Sequence, residues 1–502
     1  MSKSIEMLAF DNTYARLPAR FYARVAPTKV GDPRVIRVNQ PLAELLGASS
    51  ELLASSTGAA LLVGNEIPSG AEPLALAYAG HQFGGFVPQL GDGRAILLGE
   101  VVGKDGLRRD IQLKGSGRTP FSRGGDGRAA LGPVLREYLV SEAMAALGIP
   151  TTRALAVATT GEGVLREEML PGAILTRVAA SHLRVGTFQF FAARGDREAL
   201  VALTAHALAR HYPHAAGSGN DALALLEQVI DAQASLVARW LGVGFVHGVM
   251  NTDNTAISGE TLDYGPCAFL DEYDPDKRFS SIDHQGRYAF SNQSRIAHWN
   301  MIRLAEALLS VVSQDEEEAV RLANERLERF PARFEAAHLR VLRAKLGLAH
   351  DAPAGDARNA DDRALAHDLL GRLAGNHVDY TLFFRRLCAS AADPSADAAI
   401  LPLFDDPGAF RTWAETWRRR LATDALTPDA RASSMRRTNA AFVPRNHRVE
   451  EAIEAAVRRG DFEPFEVLTD VLARPYDDQP DFAYLADPPG AAQRTYRTFC
   501  GT

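Results

Sequence analysis

The hydrophobic period changes partway along the chain, and that change sets the fold class. Residues 91–115 and 153–178 read as strands, whereas from about 196 to 241 apolar side chains recur every 3.6 residues, in "ALVALTAHALARHY" and "ALALLEQVIDAQASLVARWL". A β-rich unit followed by a helical one is the α+β class. "GDGRAILLGEVV", a turn at "GKDG" (103–106) and "RRDIQLKG" form a hairpin in which Ile111 and Leu113 face one side and Gln112 and Lys114 the other. A helix is expected from Pro133, carrying Leu135, Tyr138, Leu139, Ala143 and Leu147 at helical spacing and stopping at Gly148, with Glu137 in its first turns. Residues 153–178 read as strands broken at the "PG" of 171–172, and "QPLAELLGA" reads as a helix ended by Gly47. The polar segment "HDAPAGDARNADDR" (350–363) reads as a loop, followed by helical patterns carrying Trp413, Trp417 and Phe462.

Composition narrows the function class. With 502 residues, 46% of them hydrophobic, the chain can bury a large core, as two to four domains or one elaborated fold. No apolar run approaches the roughly 20 residues that span a bilayer, and "MSKSIEMLAFDN" lacks the apolar core of a signal peptide, so a cytoplasmic protein without a membrane partner is expected. Cys267, Cys388 and Cys500 are too scattered for a disulfide framework or a zinc site. A formal charge of −7 disfavours nucleic acid as a partner, and the basic "WRRRL" (417–421) reads as a solvated helix face. A monomer is expected.

"HGVMNTDN" (247–254) and "DYG" (263–265) have the spacing of the protein-kinase catalytic loop H-R-D-x-x-x-x-N and of D-F-G, with Val249 where the catalytic Asp would stand. Taken singly, the signals are ordinary: "GDGR" is a turn, Lys114 a solvated strand end, Glu137 a helix-surface carboxylate. Their order is that of the kinase series: a glycine turn, a strand-borne lysine, a helix-borne glutamate 23 residues later, a helical stretch, then H-x₆-N and D-[FY]-G. A triphosphate brings about four negative charges, which a lysine and a divalent metal on hard oxygens offset. Asn254 and Asp263 supply such oxygens for Mg²⁺ or Mn²⁺, Glu137 orients Lys114, and His247 reads as a hydrogen-bonded brace. Val249 cannot take a hydroxyl proton, a loss of roughly 10² to 10⁴ in rate. Asp253, four residues beyond it, is the nearest carboxylate.

"GDGRAILLGE", "IQLKGSGRTPFSRGGDGRAALGPVLREYL", "HGVMNTDN", "DYGP", "DHQGRYAF" and a cysteine three residues from the end closely resemble the selenoprotein O (SelO) family of kinase-fold protein adenylyltransferases. The resemblance covers nearly the whole chain. It implies a two-lobed kinase-like fold, with residues 1–80 an N-terminal extension, 81–190 a small β-rich N-lobe, 191–345 a larger helical C-lobe and 346–502 a helical extension with a redox tail. It implies ATP bound in a flipped orientation, so that AMP passes to Ser, Thr or Tyr hydroxyls of proteins. Carried over by motif, Gly91, Gly93 and Arg94 contact the nucleotide, Lys114 the phosphates, and Asp126 and Gly127 the inverted nucleotide; Arg177 and Arg184 add positive charge, Asn254 and Asp263 bind the metal, and Asp253 accepts the proton.

Two other readings remain open: a kinase with an unorthodox base, and an ATP-binding pseudokinase scaffold. Retention of Lys114, Glu137, Asn254 and Asp263 argues against the scaffold, which needs no complete metal and phosphate set. Cys500 lies in the terminal "FCGT" and Cys267 four residues past Asp263. Their ordinary reading is an idle tail thiol and a small hydrophobe. Family members commonly end in cysteine or selenocysteine, which implies redox chemistry at the tail, with Cys267 the expected partner of Cys500.

Overall fold

A computed structural model describes residues 8–217, 219–348 and 356–490. It is a mixed α and β structure, with an antiparallel sheet in its first part and helices through the rest. The strands are β1 (Tyr22–Arg24), β2 (Arg34–Val38), β3 (Leu74–Leu76), β4 (Gly80–Gln82), β5 (Gly85–Val87), β6 (Ala95–Val102), β7 (Arg108–Lys114), β8 (Ala129–Ala130), β9 (Arg153–Leu165) and β10 (Met169–Ala179). Eight of them form one sheet in the order β1-β3-β6-β7-β10-β9-β2, with β8 against β10, while β4 and β5 pair only with each other.

Alternation in β7 decides what each face carries. Ile111 and Leu113 are fully buried against Leu42, Leu46 and Leu62, so helices from residues 40–63 cover that face. Gln112 and Lys114 point to the other face, where the helix Leu131–Ala146 lies with Leu135 and Leu139 against Leu97, Val157 and Leu175. The hairpin turns at Gly103–Gly106, closed by a 2.9 Å hydrogen bond from the Gly106 amide to the Gly103 carbonyl. Gly47 ends the helix Gln40–Leu46 as expected, with φ 82° in the left-handed region that glycine adopts without strain.

Beyond the sheet, the helix Asp221–Val243 packs on Gln293–Val312 and Phe330–Lys345. A separate aromatic core gathers Phe383, Phe384, Phe410, Trp413 and Trp417. Both indoles are satisfied, Trp413 donating to the Leu365 carbonyl at 3.0 Å and Trp417 to that of Leu346 at 2.9 Å. Among the described residues no helix is long and apolar enough to cross a membrane.

Three sequence expectations need correction. The helix expected from Pro133 begins at Leu131 and ends at Ala146, with Gly148 two residues past it at φ 74°. The strand break lies at Arg166–Glu168, where the Arg166 amide meets the Glu168 carbonyl, and not at Pro171–Gly172. Those two residues sit inside β10 at a register shift, where an irregular rung tolerates a proline that has no N–H to give. Part of the expected loop 350–363 is helix: Asp356–Gly375. Not all of its charges are solvated: Asp362 is fully buried between Arg343 at 2.7 Å and Arg420 at 2.6 Å. Leu365, Leu369 and Leu373 are buried on the same helix. Residues 349–355 lie outside the described residues.

Candidate active site

Four charged side chains meet between the sheet and the helical part. Lys114 ends β7, and Arg177 stands two rungs away on the neighbouring β10, opposite Gln112, so both side chains leave the same face of the sheet. Glu137 rises from the helix that covers this face. Lys114 Nζ is 2.5 Å from Glu137 Oε2 and 2.6 Å from Asp263 Oδ1. Arg177 Nε donates to Glu137 Oε1 at 2.7 Å, and its Nη2 reaches Asp263 Oδ1 at 3.3 Å. Two cations thus share two carboxylates. Burial works against ionisation of Asp263, but Lys114 and then Arg177 outweigh it and hold the carboxyl well below the usual range. Glu137 is lowered too, burial being offset first by Arg177 and then by Lys114. Asp263 is the open member of the cluster, its side chain 32% exposed against 4% for Glu137 and Arg177.

That opening is a cavity of about 250 Å³ lined by Arg94, Lys114, Val249, Asn254 and Asp263 among others. A two-stranded ladder, Phe245–Val246 with Ala268–Phe269, brackets the segments that bring Val249, Asn254 and Asp263 to it. Gly248 has φ 81°, and a Cβ there would fall 2.7 Å from the Pro266 carbonyl oxygen, so the two segments can close only on glycine. His247 is the expected brace: its Nδ1 accepts the Val249 amide, and its Nε2 lies 3.1 Å from the Leu262 carbonyl. Asp263 itself has φ 71°, a left-handed conformation rare outside glycine and held here by its ion pairs. Asn254 Nδ2 donates to the Val249 carbonyl at 3.1 Å, which leaves its amide oxygen for a ligand.

The donor set fits a divalent metal as a partial site. Asp263 offers an ionised oxygen and Asn254 a neutral one on the same cavity, and Mg²⁺ is commonly held by one or two such groups plus substrate phosphates. Among the described residues no group of three or more His, Cys, Asp or Glu side chains is placed to hold a metal by itself.

The other expected site residues lie around this centre. Gly91 and Gly93 pack under Phe121, where a Cβ on Gly91 would meet the ring at 2.3 Å. Gly127 presses on Gly117, and Asp126 pairs with Arg166 at 2.8 Å; neither lines the cavity. Arg184 Nη1 donates to the Asp253 carbonyl at 3.0 Å, and its guanidinium lies 4.2 Å over the Tyr78 ring. Asp253, the residue before Asn254, is buried and does not line the cavity, and burial raises its carboxyl to about 6 against the lowering hydrogen bond from Gln82. Cys267 is fully buried in the core, and burial pushes its thiol up to about 12, so at neutral pH it is protonated and without access to an oxidant. Cys500 lies outside the described residues.

Sequence reasoning missed one wall. The helix Asn446–Arg459 brings Glu450 and Ile453 to the cavity, with Arg136 paired to Glu450 and also donating to the Cys267 carbonyl at 3.1 Å. Its amphipathic pattern, with Val449, Ala452, Ala455 and Ala456 buried, announces a packed helix but not its destination. The hairpin β4–β5 was missed as well, because "GHQFGGFV" is short and rich in glycine.

A family model described as protein adenylyltransferase SelO matches residues 4–473. A protein nucleotidyltransferase YdiU of Methylorubrum extorquens is 63% identical over 502 residues, spanning 99% of both chains. Proteins with the same description from Rhodopseudomonas palustris and Bradyrhizobium diazoefficiens are 59% and 58% identical over 493 residues, spanning 98% of this chain and 99% of theirs.

Proposed function

The chain belongs to the SelO family, and from that premise we propose that it is a protein adenylyltransferase that moves AMP from ATP to Ser, Thr or Tyr hydroxyls of proteins. The observation that carries the reading is the pairing of a Lys–Glu–Arg–Asp charge cluster with an apolar residue at the usual base position. Lys114, Glu137, Asn254 and Asp263 line one cavity, with Arg177 paired to Glu137 beside it, and Val249 lines it where a kinase base would stand. Residues 81–190 and 191–345 are read as the two lobes of a kinase-like fold, with 1–80 and 346–502 as extensions.

In this reading Lys114 faces the phosphates and Arg94 contacts the nucleotide, while Arg177 adds positive charge and holds Glu137 so that Lys114 stays aimed. Asn254 and Asp263 would hold Mg²⁺ or Mn²⁺, which supplies charge neutralisation for the triphosphate. The acceptor oxygen forms its bond to the α-phosphorus, pyrophosphate leaves, and the hydroxyl proton goes to Asp253. Gly91, Gly93, Asp126 and Gly127 contact a nucleotide held in flipped orientation, and Arg184 supports the phosphates. The substrate is then a protein surface, not a nucleic acid, and the enzyme acts in the cytoplasm as a monomer.

Incubation with α-labelled and, separately, γ-labelled ATP tests this. Label is expected to enter protein from the α position only, to vanish with EDTA, and to return with Mg²⁺ or Mn²⁺. Entry from the γ position alone supports a kinase with an unorthodox base, and entry from neither leaves an ATP-binding scaffold. Val249→Asp sharpens the orientation question, because position 249 lines the cavity. This variant is expected to transfer no γ-label, since a flipped nucleotide does not present its γ-phosphorus to residue 249. Robust γ-transfer by it would mean that ATP binds in the ordinary direction.

A further inference from the structure

The hairpin β4–β5 and the loop 251–253 are joined residue for residue. The His81 amide donates to Thr252 Oγ1 at 2.7 Å, the Phe83 amide to Asn251 Oδ1 at 3.1 Å, and Gln82 Nε2 to Asp253 Oδ2 at 3.1 Å. Neighbouring contacts fix this frame. The Thr252 hydroxyl donates to Gln189 Oε1 at 2.6 Å, Gln189 Nε2 lies 2.8 Å from His81 Nδ1, and the Tyr288 hydroxyl donates to Asn251 Oδ1 at 2.7 Å. The Phe83 ring rests against that of Tyr288, and Phe83 is held at φ 50°.

Asp253 lies directly under the hairpin. A Cβ on Gly80 would fall 2.5 Å from Asp253 Oδ1, so only glycine lets β4 lie this close to the carboxylate. Arg184 fixes the backbone of Asp253 through its carbonyl but does not hydrogen-bond the carboxylate. Among the described residues Oδ1 has no hydrogen-bond partner, and Gln82 is the one side chain that hydrogen-bonds Oδ2. The terminal torsion of an aspartate is intrinsically broad, so without that bond the residue's own backbone amide is the one hydrogen bond left to the carboxylate among the described residues, and it fixes the orientation less well than two contacts do.

We propose that Gln82 is a positioning residue for AMP transfer: its amide fixes the orientation of the Asp253 carboxylate from a hairpin locked in register with the loop. The proposal rests on the reading of Asp253 as the proton acceptor. A displacement of about 1 Å at a reacting group costs on the order of 10² in rate, which is the scale of effect a lost positioning contact produces.

Gln82→Met keeps the length of the side chain and removes the donor. In the full chain with α-labelled ATP, this variant is expected to lose about 10- to 100-fold in kcat with the KM for ATP within about twofold of the parent. In an Asp253→Ala background the same substitution is expected to cost nothing further, because a residue acting through Asp253 has nothing left to act on. Hydrogen exchange of the peptide spanning 247–255 gives a readout without turnover, and faster exchange is expected in Gln82→Met. An unchanged kcat, an equal loss in the Asp253→Ala background, or unchanged exchange would each overturn the role of Gln82. Absence of α-label transfer by the parent would instead overturn the adenylyltransferase reading, and the exchange result would still decide whether Gln82 orders the loop.

Discussion

Asp263→Asn is expected to lower AMP transfer by about 10³-fold or more, a loss of about 4 kcal/mol of transition-state stabilisation, while leaving the fold intact. Asparagine tolerates the left-handed conformation that residue 263 adopts at φ 71°, so the substitution removes charge without straining the backbone. Lys114 and Arg177 both keep Glu137, at 2.5 and 2.7 Å, and the cluster loses the charge on its most exposed carboxylate. Asp263→Ala should show the same loss of activity plus about 1–2 kcal/mol of instability, because alanine is strained at this φ. Single-turnover α-label transfer beside a urea melt separates the two effects. Activity within tenfold of the parent in Asp263→Asn would sink the site assignment.

The largest stability effect is expected far from the phosphate cluster, at Arg445. Its guanidinium is 1% exposed and holds Asp379 at 2.7 Å, Asp271 at 2.8 Å and the Ala486 carbonyl at 3.1 Å. Asp379 also caps the helix Tyr380–Ser390, accepting from the Leu382 amide at 2.9 Å. Arg445→Met leaves two carboxylates buried or nearly so without their cation, and removal of one partner from such a set costs about 3–5 kcal/mol. The midpoint of urea unfolding should fall accordingly. Adding Asp379→Asn to Arg445→Met should recover part of the loss, because asparagine still caps the helix and no longer carries a stranded charge. A single variant as stable as the parent would show that Arg445 contributes no net stability. Arg445 also precedes the helix Asn446–Arg459, so a loosened anchor should weaken ATP binding through Glu450 and Ile453.

What could be read from the sequence was local. Period-two alternation places Ile111 and Leu113 on one face and Lys114 on the other, and helical spacing puts Glu137 in the first turns of the helix that follows. The H-x₆-N and D-Y-G spacings marked Asn254 and Asp263, because their geometry is set by short loops. The role of Arg177 was not legible from residue spacing. Its partnership with Glu137 depends on β10 lying beside β7, a pairing across 65 residues between Gln112 and Arg177 that no local pattern encodes. The helix Asp356–Gly375 was misread for a similar reason. Its Asp and Arg residues look solvated in one dimension, but Arg358 and Asp362 find distant partners in Asp424 and in Arg343 and Arg420. Gly91 and Gly93 of "GDGR" and Gly127 of "GGDGR" read in the sequence as nucleotide contacts, and in the structure they are first of all places where backbone meets Phe121 or Gly117 too closely for any Cβ.

The wall that Glu450 contributes also has a meaning in time. Glu450 follows Arg136, its partner across the cavity, by 314 residues. At about 5–20 residues per second, a ribosome needs on the order of 15–60 seconds to travel that distance. A chain still being translated can therefore hold Lys114, Glu137 and even Asp263 well before the helix that closes the cavity has emerged. Products that terminate before residue 446 carry the charges of a nucleotide site without its enclosure, and a transferase able to mark other proteins becomes complete only after the helix Asn446–Arg459 has been made.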